Sequence, residues 1–441
     1  MYPNARTNSR GAGPGNEPTV FIGPSVLDAA QVTAAPGAVA MADGVVVAAG
    51  AVDQVRRAVG GDAPRVELPD RLLLPGLVNA HTHLELATTP TWAYEGDFVD
   101  WVRRIRTTWP VADDPMHTAN RQAAVAAARR GAELCQAAGV LRVGDISRFV
   151  AVVDAVAEAG MQGVGYVELF GVGPPWDQQA ITRIEWLQTA ARRRPPGGMR
   201  LGLQPHAPYS AGPAVFDRAV RSPLPVATHL AETEAERQFV ADAAGAFRAF
   251  LEQIGKWDDA FAGFYGDGRT PVRWLGDVAD SPAAANVRPM LCAHCNYVSD
   301  DDITLIADRG WSVAYCPRAS AYFGHAGHRY RDMLEADVNV CLGTDSIICT
   351  GDLSILNEMR RLYQRDAVDP RTLLAMATTR GMRGLGLDPI DATFATGARP
   401  GLIAIRYDGN DPTPALEQVL ATRDEPPIEV IAAVHAKAAT P

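Results

Sequence analysis

Short apolar runs alternate along the middle of the chain with longer segments rich in Ala, Leu, Glu and Arg, of which Ala123–Ala138 is the clearest. A continuous apolar run predicts a parallel strand buried on both faces, and the longer segments predict helices. Eight strands alternating with helices are the pattern of a (β/α)8 barrel of the α/β class. The runs lie at Leu72–Ala80, Gly139–Ile146, Gly163–Phe170, Met199–Pro205, Pro225–Leu230, Arg288–Ala293, Ser312–Cys316 and Val338–Leu342.

Shorter β-like runs occur at both ends of the chain and predict one small β domain, into which the barrel is inserted. Asp43-Gly44 stands between two of them and indicates a hairpin. We expect a β domain of residues 19–70 plus 395–441, a barrel of residues 71–394, and a disordered leader, not a signal peptide, at residues 1–18. The runs lie at Val20–Ile22, Ala38–Met41, Val45–Ala48, Gly401–Arg406 and Ile428–His435.

The composition excludes several classes of protein. A net charge of −10 argues against nucleic acid or an anionic membrane as the main partner. The most apolar long window, Ala34–Val52, is interrupted by Pro36, Asp43 and Gly44, so it predicts no membrane span. The six cysteines are scattered, and four lie inside or beside apolar runs, which is typical of free core cysteines and not of a secreted disulfide framework. We expect a cytoplasmic protein.

Five of the nine histidines stand at the ends of predicted strands. His81 and His83 are two residues apart on the first strand, so their side chains point to the same face, where two imidazoles can bind one metal ion. Active sites of such barrels lie at the carboxyl ends of the strands. One histidine alone would be an ordinary polar residue, but five with an aspartate predict a metal site. The others of this set are His206, His229, His294 and Asp345.

Five motifs in a fixed order resemble those of the amidohydrolase superfamily, and within it the cytosine/guanine/adenosine-type deaminases and chlorohydrolases of the ATZ/TRZ-like group. The resemblance extends from about Thr19 to the C-terminus. It implies a distorted (β/α)8 barrel with a small β-sandwich built from both chain ends, in agreement with the pattern above. The motifs are Pro75-Gly-Leu-Val-Asn-Ala-His-Thr-His83, His206-Ala-Pro-Tyr209, His229-Leu-Ala-Glu232, Ala293-His-Cys295 and Leu342-Gly-Thr-Asp-Ser346.

The resemblance also implies a divalent metal ion, with Zn2+ as the first choice and Fe2+ as the alternative. The ion lowers the pKa of bound water from ~15.7 toward ~7, so that a metal-bound hydroxide attacks a ring carbon and ammonia leaves. Asp345 would accept the proton of the water, Glu232 would carry it to a ring nitrogen, and His294 would stabilise charge on the intermediate. The implied ligands are His81, His83, His229 and Asp345.

The lysine content bears on the number of metal ions. Binuclear members of the superfamily use a carboxylated lysine at strand four as a bridge between two metals. The only lysines of this chain, Lys256 and Lys437, lie far from that strand. The resemblance therefore implies one metal ion per chain.

Several substrate contacts follow from the same resemblance, most with a structural alternative. His206 and Tyr209 stand where related deaminases contact substrate, although Tyr209 is also explained as packing of the wall. Glu85 either contacts the sugar, as in nucleoside deaminases of the group, or is a surface carboxylate. Arg318 either binds an anionic or ribosyl part of the substrate or anchors its loop. Ser346, from the last motif, completes the predicted set.

The sequences of two loops do not identify the exact substrate. The aromatic residues of Trp92–Arg104 either cover a flat heterocycle or form the apolar stripe of the first helix, and for Trp101 the stripe is favoured. After strand seven the chain has Cys316-Pro-Arg-Ala-Ser320, where many relatives have Cys-Pro-x-Ser-Asn.

The chain is therefore expected to be a metal-dependent hydrolytic deaminase of a small 6-aminopurine nucleoside-type molecule, namely aminodeoxyfutalosine, adenosine, S-adenosylhomocysteine or methylthioadenosine. His81-Thr-His-Leu-Glu85 followed by Gly96-Asp-Phe-x-x-Trp101 is most similar to aminodeoxyfutalosine deaminases. The alternatives are a chlorohydrolase or cyclic-amide hydrolase on the same scaffold, and an inactive binding barrel. Relatives are often homodimers, and a homodimer stays open here.

Overall fold

The computed structural model describes residues 17–108, 118–173, 176–194, 197–280, 290–409, 411 and 413–434. Residues 1–16 of the predicted leader, the start of the predicted strand Arg288–Ala293, and His435 at the end of the last predicted strand lie outside this part. The described strands are β1 Thr19–Gly23, β2 Ser25–Leu27, β3 Thr33–Ala34, β4 Gly37–Ala42, β5 Val45–Ala51, β6 Arg65–Glu67, β7 Arg71–Leu74, β8 Leu77–Thr82, β9 Val140–Ser147, β10 Gln162–Leu169, β11 Met199–Pro205, β12 Ala227–Leu230, β13 Leu291–His294, β14 Ser312–Tyr315, β15 Asn339–Leu342, β16 Leu402–Arg406 and β17 Ile428–Ala432.

Helices follow most of the strands in the middle of the chain, and short 3-10 segments occur at Leu84–Leu86, Asp259–Phe264 and Pro389–Ala392. The α-helices are α1 Val52–Val59, α2 Phe98–Thr108, α3 Thr118–Ala137, α4 Val150–Glu158, α5 Trp176–Arg192, α6 Pro213–Val220, α7 Glu234–Asp242, α8 Ala246–Gln253, α9 Pro271–Ala279, α10 Asp300–Asp308, α11 Pro317–Tyr322, α12 Tyr330–Glu335, α13 Ile347–Thr350, α14 Ile355–Asp366, α15 Pro370–Met376, α16 Thr379–Gly384 and α17 Ala415–Ala421.

The eight parallel strands of the α/β part form two four-stranded sheets, β8-β9-β10-β11 and β12-β13-β14-β15. Among the described residues, only isolated bridges link the sheets, Leu203 to Val226 on one side and Thr82 to Asp345 on the other. The expected continuous barrel ladder is therefore not present in this part of the chain. Prolines explain part of the gap, since Pro205 ends β11 and Pro225 precedes β12, and a proline has no N–H to donate to a ladder.

The run Leu72–Ala80, predicted as one strand, is two strands that belong to different sheets. β7 pairs antiparallel with β16 and parallel with β2. β8 pairs parallel with β9 and ends in the two histidines. The break falls at Pro75-Gly76, where the backbone of Gly76 packs so closely that an added Cβ would lie 2.4 Å from Leu141 Cδ1.

Strands from both ends of the chain share one sheet, of order β17-β16-β7-β2-β3, and a second sheet has the order β5-β4-β1-β6. The hairpin indicated by Asp43-Gly44 joins β4 and β5, and both turn residues have positive φ, 50° and 73°. Such a turn matches the twist of an antiparallel pair. The arrangement of these sheets as a sandwich and the domain limits at 70/71 and 394/395 stay predictions.

The apolar core ends where the parallel strands end. Leu77 and Val78 of β8 are fully buried among aliphatic side chains, whereas the last residues of the same strand, His81 and Thr82, are buried polar groups. β13 changes in the same way at His294. Among the described residues, none of the helices combines the length and apolar character that a membrane crossing requires.

We expect Gly76→Ala to lower the free energy of unfolding by about 1–3 kcal/mol, because the new methyl group would overlap Leu141. Urea unfolding measures it. Gly61→Ala is the matched control, since an added Cβ there has nothing within 4 Å. The double variant Gly76→Ala/Leu141→Ala should lose less free energy of unfolding than the sum of the two single variants, because the smaller side chain makes room for the new methyl group. If the two losses simply add, Leu141 is not what prevents a side chain at position 76.

Candidate metal centre

The four implied ligands come together at the carboxyl ends of the parallel strands. His81 and His83 lie at and just after the end of β8, His229 lies on β12, and Asp345 follows β15. Nitrogen atoms of the three imidazoles lie within 4.8 Å of one another, and the same holds for ligand atoms of His81, His294 and Asp345. Asp345 Oδ1 lies 3.3 Å from His83 Nε2 and 3.7 Å from His81 Nε2. The three imidazoles can therefore share one ion, and the Asp345 carboxylate lies beside two of them.

Two observations show that these residues fit a cation. His81 Nε2 is buried without a hydrogen-bond partner in the described part of the chain, which is costly unless an ion or molecule binds it. His229 Nδ1 lies 3.1 Å from the carbonyl oxygen of His206, so the proton belongs on Nδ1 and Nε2 keeps its lone pair.

The protonation states agree with metal binding. Burial, followed by the charges of neighbouring imidazoles, holds the pKa of His81 and of His83 well below the ordinary value. Burial lowers the pKa of His229 to about 4. These rings are therefore neutral near pH 7, and a neutral imidazole is the form that binds a metal ion. Burial also raises the pKa of Asp345 to about 7, because it disfavours the charged carboxylate. A nearby cation would stabilise that carboxylate and lower the pKa again.

Left-handed backbone occurs at three turns beside the centre. Ala231, His294 and Asp345 have φ of 49°, 73° and 58°, which residues with a Cβ seldom adopt. Asp345 is fixed by its N–H, which donates to the carbonyl of His81 at 3.0 Å. His328 Nε2 donates to the carbonyl of His294 at 2.7 Å. Strain of this kind persists where surrounding contacts determine the conformation.

Glu232 lies between the imidazoles and a second carboxylate. Its Oε1 is 3.5 Å from His294 Nε2. The carboxylate of Glu236 accepts the N–H of Ala231 at 2.9 Å and of Glu232 at 2.8 Å, and Asn296 Nδ2 donates to the Glu232 carbonyl at 3.0 Å. Burial, followed by the charges of Asp345 and Glu236, raises the pKa of Glu232 well above its ordinary value. Glu232 is therefore a buried carboxyl group whose surroundings favour the protonated form.

The sequence prediction missed a layer of buried charge beside the centre. Glu85 is 4% exposed, and its carboxylate accepts Arg148 Nε at 2.5 Å and the Arg148 N–H at 3.2 Å. It is therefore not a surface carboxylate. Arg183 donates to the Arg148 carbonyl. Glu168, at the end of β10, places Oε1 3.9 Å from His206 Nε2. A charged residue inside an apolar run, as Glu168 is in Gly163–Phe170, was the available indication.

The other predicted contacts differ in their surroundings. His206 accepts from or donates to Ser210 Oγ through Nδ1 at 2.7 Å, and its ring lies 4.9 Å from that of Phe170. Tyr209 is buried and stacks on Phe247 with ring centroids 3.7 Å apart. Ser346 Oγ lies 3.5 Å from Cys349 Sγ. The His206 ring lies 4.8 Å from that of His229 and 5.7 Å from that of Tyr209, so His206 stands beside the centre and Tyr209 packs behind it.

Arg318 is occupied by two carboxylates of its own chain. Its Nε donates to Glu358 at 2.6 Å, and its two terminal nitrogens donate to Asp352 at 2.7 and 2.8 Å. The ion pairs join α11 to α14 and the turn before it. This arrangement anchors the loop after β14, the second of the two roles that the sequence left open.

The aromatic residues of α2 pack into the protein. Phe98 and Trp101 stack with ring centroids 5.8 Å apart, and both contact Phe323 edge to face at 5.1 Å. Trp101 therefore belongs to the apolar stripe of the helix.

Comparison with known proteins agrees with this geometry. A model of the amidohydrolase family matches residues 72–431. An aminodeoxyfutalosine deaminase of Deinococcus radiodurans is 29% identical over 374 residues, 80% of this chain and 82% of that protein. A 5-methylthioadenosine/S-adenosylhomocysteine deaminase of Dictyoglomus thermophilum is 27% identical over 72% of this chain and 70% of its own. A zinc-bound adenosine deaminase structure from Xanthomonas campestris aligns with a TM-score of 0.72 at 23% identity, over 94% of this chain and 89% of its own, and so shares the fold.

Glu168 should make stability fall as pH rises. Burial, followed by the charge of Glu85, raises its pKa to about 8 from an ordinary 4.5. Between these values the folded state binds more protons than the unfolded state, so the free energy of unfolding decreases with pH by at most ~1.4 kcal/mol per unit. We expect the loss between pH 6 and 8 to be about 1–2 kcal/mol smaller in Glu168→Gln, measured by urea unfolding.

Glu158→Gln is the control, because Glu158 is an exposed carboxylate paired with Arg129. An equal pH dependence in wild type and Glu168→Gln would mean that Glu168 is ionised across this range.

Proposed function

Because the chain belongs to the amidohydrolase family, we propose that it is a metal-dependent aminohydrolase that removes the amino group of a 6-aminopurine nucleoside and releases ammonia. The observation that carries the proposal is the buried carboxyl of Glu232, 3.5 Å from His294 Nε2 and beside four candidate metal ligands. A proton-holding acid next to a metal centre suits hydrolysis that must protonate its substrate. The substrate class is supported by relatives that deaminate aminodeoxyfutalosine, methylthioadenosine and S-adenosylhomocysteine.

The proposed ligands are His81, His83, His229 and Asp345, holding one divalent ion. Zn2+ suits three imidazoles and a carboxylate, and Fe2+ is the alternative. When bound, the ion supplies Lewis acidity that makes water nucleophilic near neutral pH.

The protein residues move the protons. Asp345 accepts the first proton from the attacking water, and Glu232 delivers its own proton to the ring nitrogen next to the carbon under attack. As the carbon–nitrogen bond breaks, Asp345 passes its proton to the leaving amino group, which departs as ammonia. The hydroxyl on the ring carbon gives its proton to Glu232, which restores both carboxyl groups. His294 hydrogen-bonds the water through Nε2 and stabilises the negative charge that develops as the new bond forms. Glu236 and Asn296 are positioning residues, since they bind the backbone of Glu232 and not the substrate.

The remaining predicted residues take supporting roles. We assign His206 and Glu85 to the nucleoside side of the pocket, where Glu85 keeps an acceptor lone pair for a sugar hydroxyl while Arg148 holds it. Tyr209 and Ser346 shape the wall. Arg318 positions its loop through Asp352 and Glu358.

We extend the proposal to the architecture. The eight parallel strands are taken to close around the centre as a distorted (β/α)8 barrel, in residues 71–394. The bridges at Leu203–Val226 and Thr82–Asp345 support closure. The sheets of residues 19–70 and 395–441 are taken as one small β-sandwich.

Purified protein should release ammonia from at least one of adenosine, methylthioadenosine, S-adenosylhomocysteine and aminodeoxyfutalosine. Glu232→Gln should lower kcat by about 10²–10⁴-fold, because the amide is too weak an acid to deliver a proton. Glu234→Gln is the matched control, since Glu234 is exposed and pairs with Arg237.

Full activity of Glu232→Gln would contradict the proposed proton carrier. Silence of the wild type on all four nucleosides, with metal bound, would contradict the substrate class and direct the search to chlorinated triazines and cyclic amides.

Metal analysis of protein purified without chelator should find about one ion per chain, and removal of that ion should abolish ammonia release. His83→Ala should leave most chains without metal, because loss of one of four ligands weakens binding sharply. His325→Gln is the control, since His325 contacts Tyr297 and lies outside the ligand set. Two ions per chain, or full metal content in His83→Ala, would contradict the proposed centre.

A further inference from the structure

Two loops meet through aromatic residues beside the candidate centre. Tyr322, at the end of α11, donates its hydroxyl to the carbonyl of Trp92 at 3.0 Å. The rings of Tyr94 and Tyr322 lie 5.7 Å apart, and Tyr94 contacts Phe323 edge to face at 5.1 Å. The segment after β8 and the segment after β14 are therefore held together. Trp92, Tyr94 and Tyr322 are all only partly buried, so their rings keep accessible surface.

This aromatic group lies close to the reacting residues. The pKa of Tyr94 is raised, first by partial burial and, among smaller causes, by the charge of Glu232. The pKa of Tyr322 is also raised, first by burial and next by Cys349, which belongs to the helix directly after Asp345. Geometry gives the same position, because Ser320, two residues before Tyr322 on α11, donates to Asn296 Oδ1 at 2.9 Å, and Asn296 Nδ2 donates to the carbonyl of Glu232 at 3.0 Å. Both phenols thus lie near the turn that carries Glu232.

Arg104 adds a positive charge to the same group. Its guanidinium carbon lies 4.3 Å from the centroid of the Trp92 ring, a cation–π contact. It also lowers the pKa of Tyr322, which places it near that hydroxyl. In the described part of the chain Arg104 forms no ion pair, whereas the adjacent Arg103 pairs with Asp100. Arg104 is therefore a cation held in place by an aromatic ring and available to an anion.

We infer that Trp92, Tyr94, Arg104 and Tyr322 form a subsite for the tail of the substrate, and that this tail is an aromatic ring bearing a carboxylate. The inference rests on the proposed deaminase function and narrows its substrate class. Flat rings pack well against partly exposed aromatic side chains, and a guanidinium binds a carboxylate through paired hydrogen bonds. Stacking on Trp92 reduces the freedom that Arg104 would lose on binding.

The candidate nucleosides differ in this respect. The tail of methylthioadenosine is a neutral methyl group, which leaves Arg104 unused. The tail of S-adenosylhomocysteine is aliphatic and carries an ammonium group with its carboxylate, so its net charge is zero. Aminodeoxyfutalosine carries a carboxyphenyl group, which matches both the aromatic surface and the cation.

The test compares aminodeoxyfutalosine with its methyl ester, which keeps the ring and removes the charge. We expect the wild type to favour the acid by ~10-fold to ~100-fold in kcat/KM, the range for a hydrogen bond to a charged group. In Arg104→Gln this ratio should fall to about 1, through KM for the acid, and Arg104→Lys should restore part of it. Arg103→Gln, on the same helix, should keep the wild-type ratio.

A wild type that deaminates these nucleosides without favouring the acid over the ester overturns the inference and leaves the proposed function standing. The same holds if Arg103→Gln and Arg104→Gln reduce the ratio equally, since net charge alone would then explain it, or if S-adenosylhomocysteine is the best substrate. Absence of ammonia from every nucleoside overturns both the proposed function and the inference.

Discussion

The buried imidazole of His81 imposes the constraint on which the candidate site depends. Its Nε2 has no hydrogen-bond partner in the described part of the chain, and an unpaired buried polar atom costs about 1–3 kcal/mol. Burial also keeps the neighbouring imidazoles neutral, so their lone pairs point toward one space with a carboxylate at its edge. A bound cation satisfies all of these groups at once.

The centre is held largely through backbone atoms. Glu236 binds the N–H groups of Ala231 and Glu232, and His328 binds the carbonyl of His294. Each contact fixes a turn whose backbone is left-handed or adjoins a left-handed residue. Left-handed backbone costs roughly 1–2 kcal/mol for a residue with a Cβ. These supports therefore stabilise a conformation that aims the side chains of Glu232 and His294 at one another.

Most strands and the grouping of histidines at strand ends could be predicted from the sequence because each has a local pattern. Met199–Pro205, predicted as a strand from its apolar residues, has the same bounds in the structure. The spacing of His81 and His83 alone places them on one face. An apolar pattern cannot distinguish one strand from two, however, and so the division at Pro75-Gly76 was missed.

The supporting residues could not be predicted, since their partners are set by the fold. Glu236 and His328 bind backbone atoms and carry no motif of their own. Arg318 had two possible roles, and only the approach of Asp352 and Glu358, 34 and 40 positions along the chain, distinguishes them.

The pairing of β7 with β16 has a consequence for how the chain acquires its structure during synthesis. β7 leads directly into the strand that carries His81 and His83, yet its partner β16 lies near the opposite end of the chain. The ribosome therefore releases the metal-binding strand long before its anchor exists. Pairing between such distant segments forms late, and an unpaired strand edge is exposed in the meantime. A nascent or truncated chain that stops before β16 contains every proposed ligand. It lacks the strand that pairs with β7, the segment directly before the strand that carries His81 and His83.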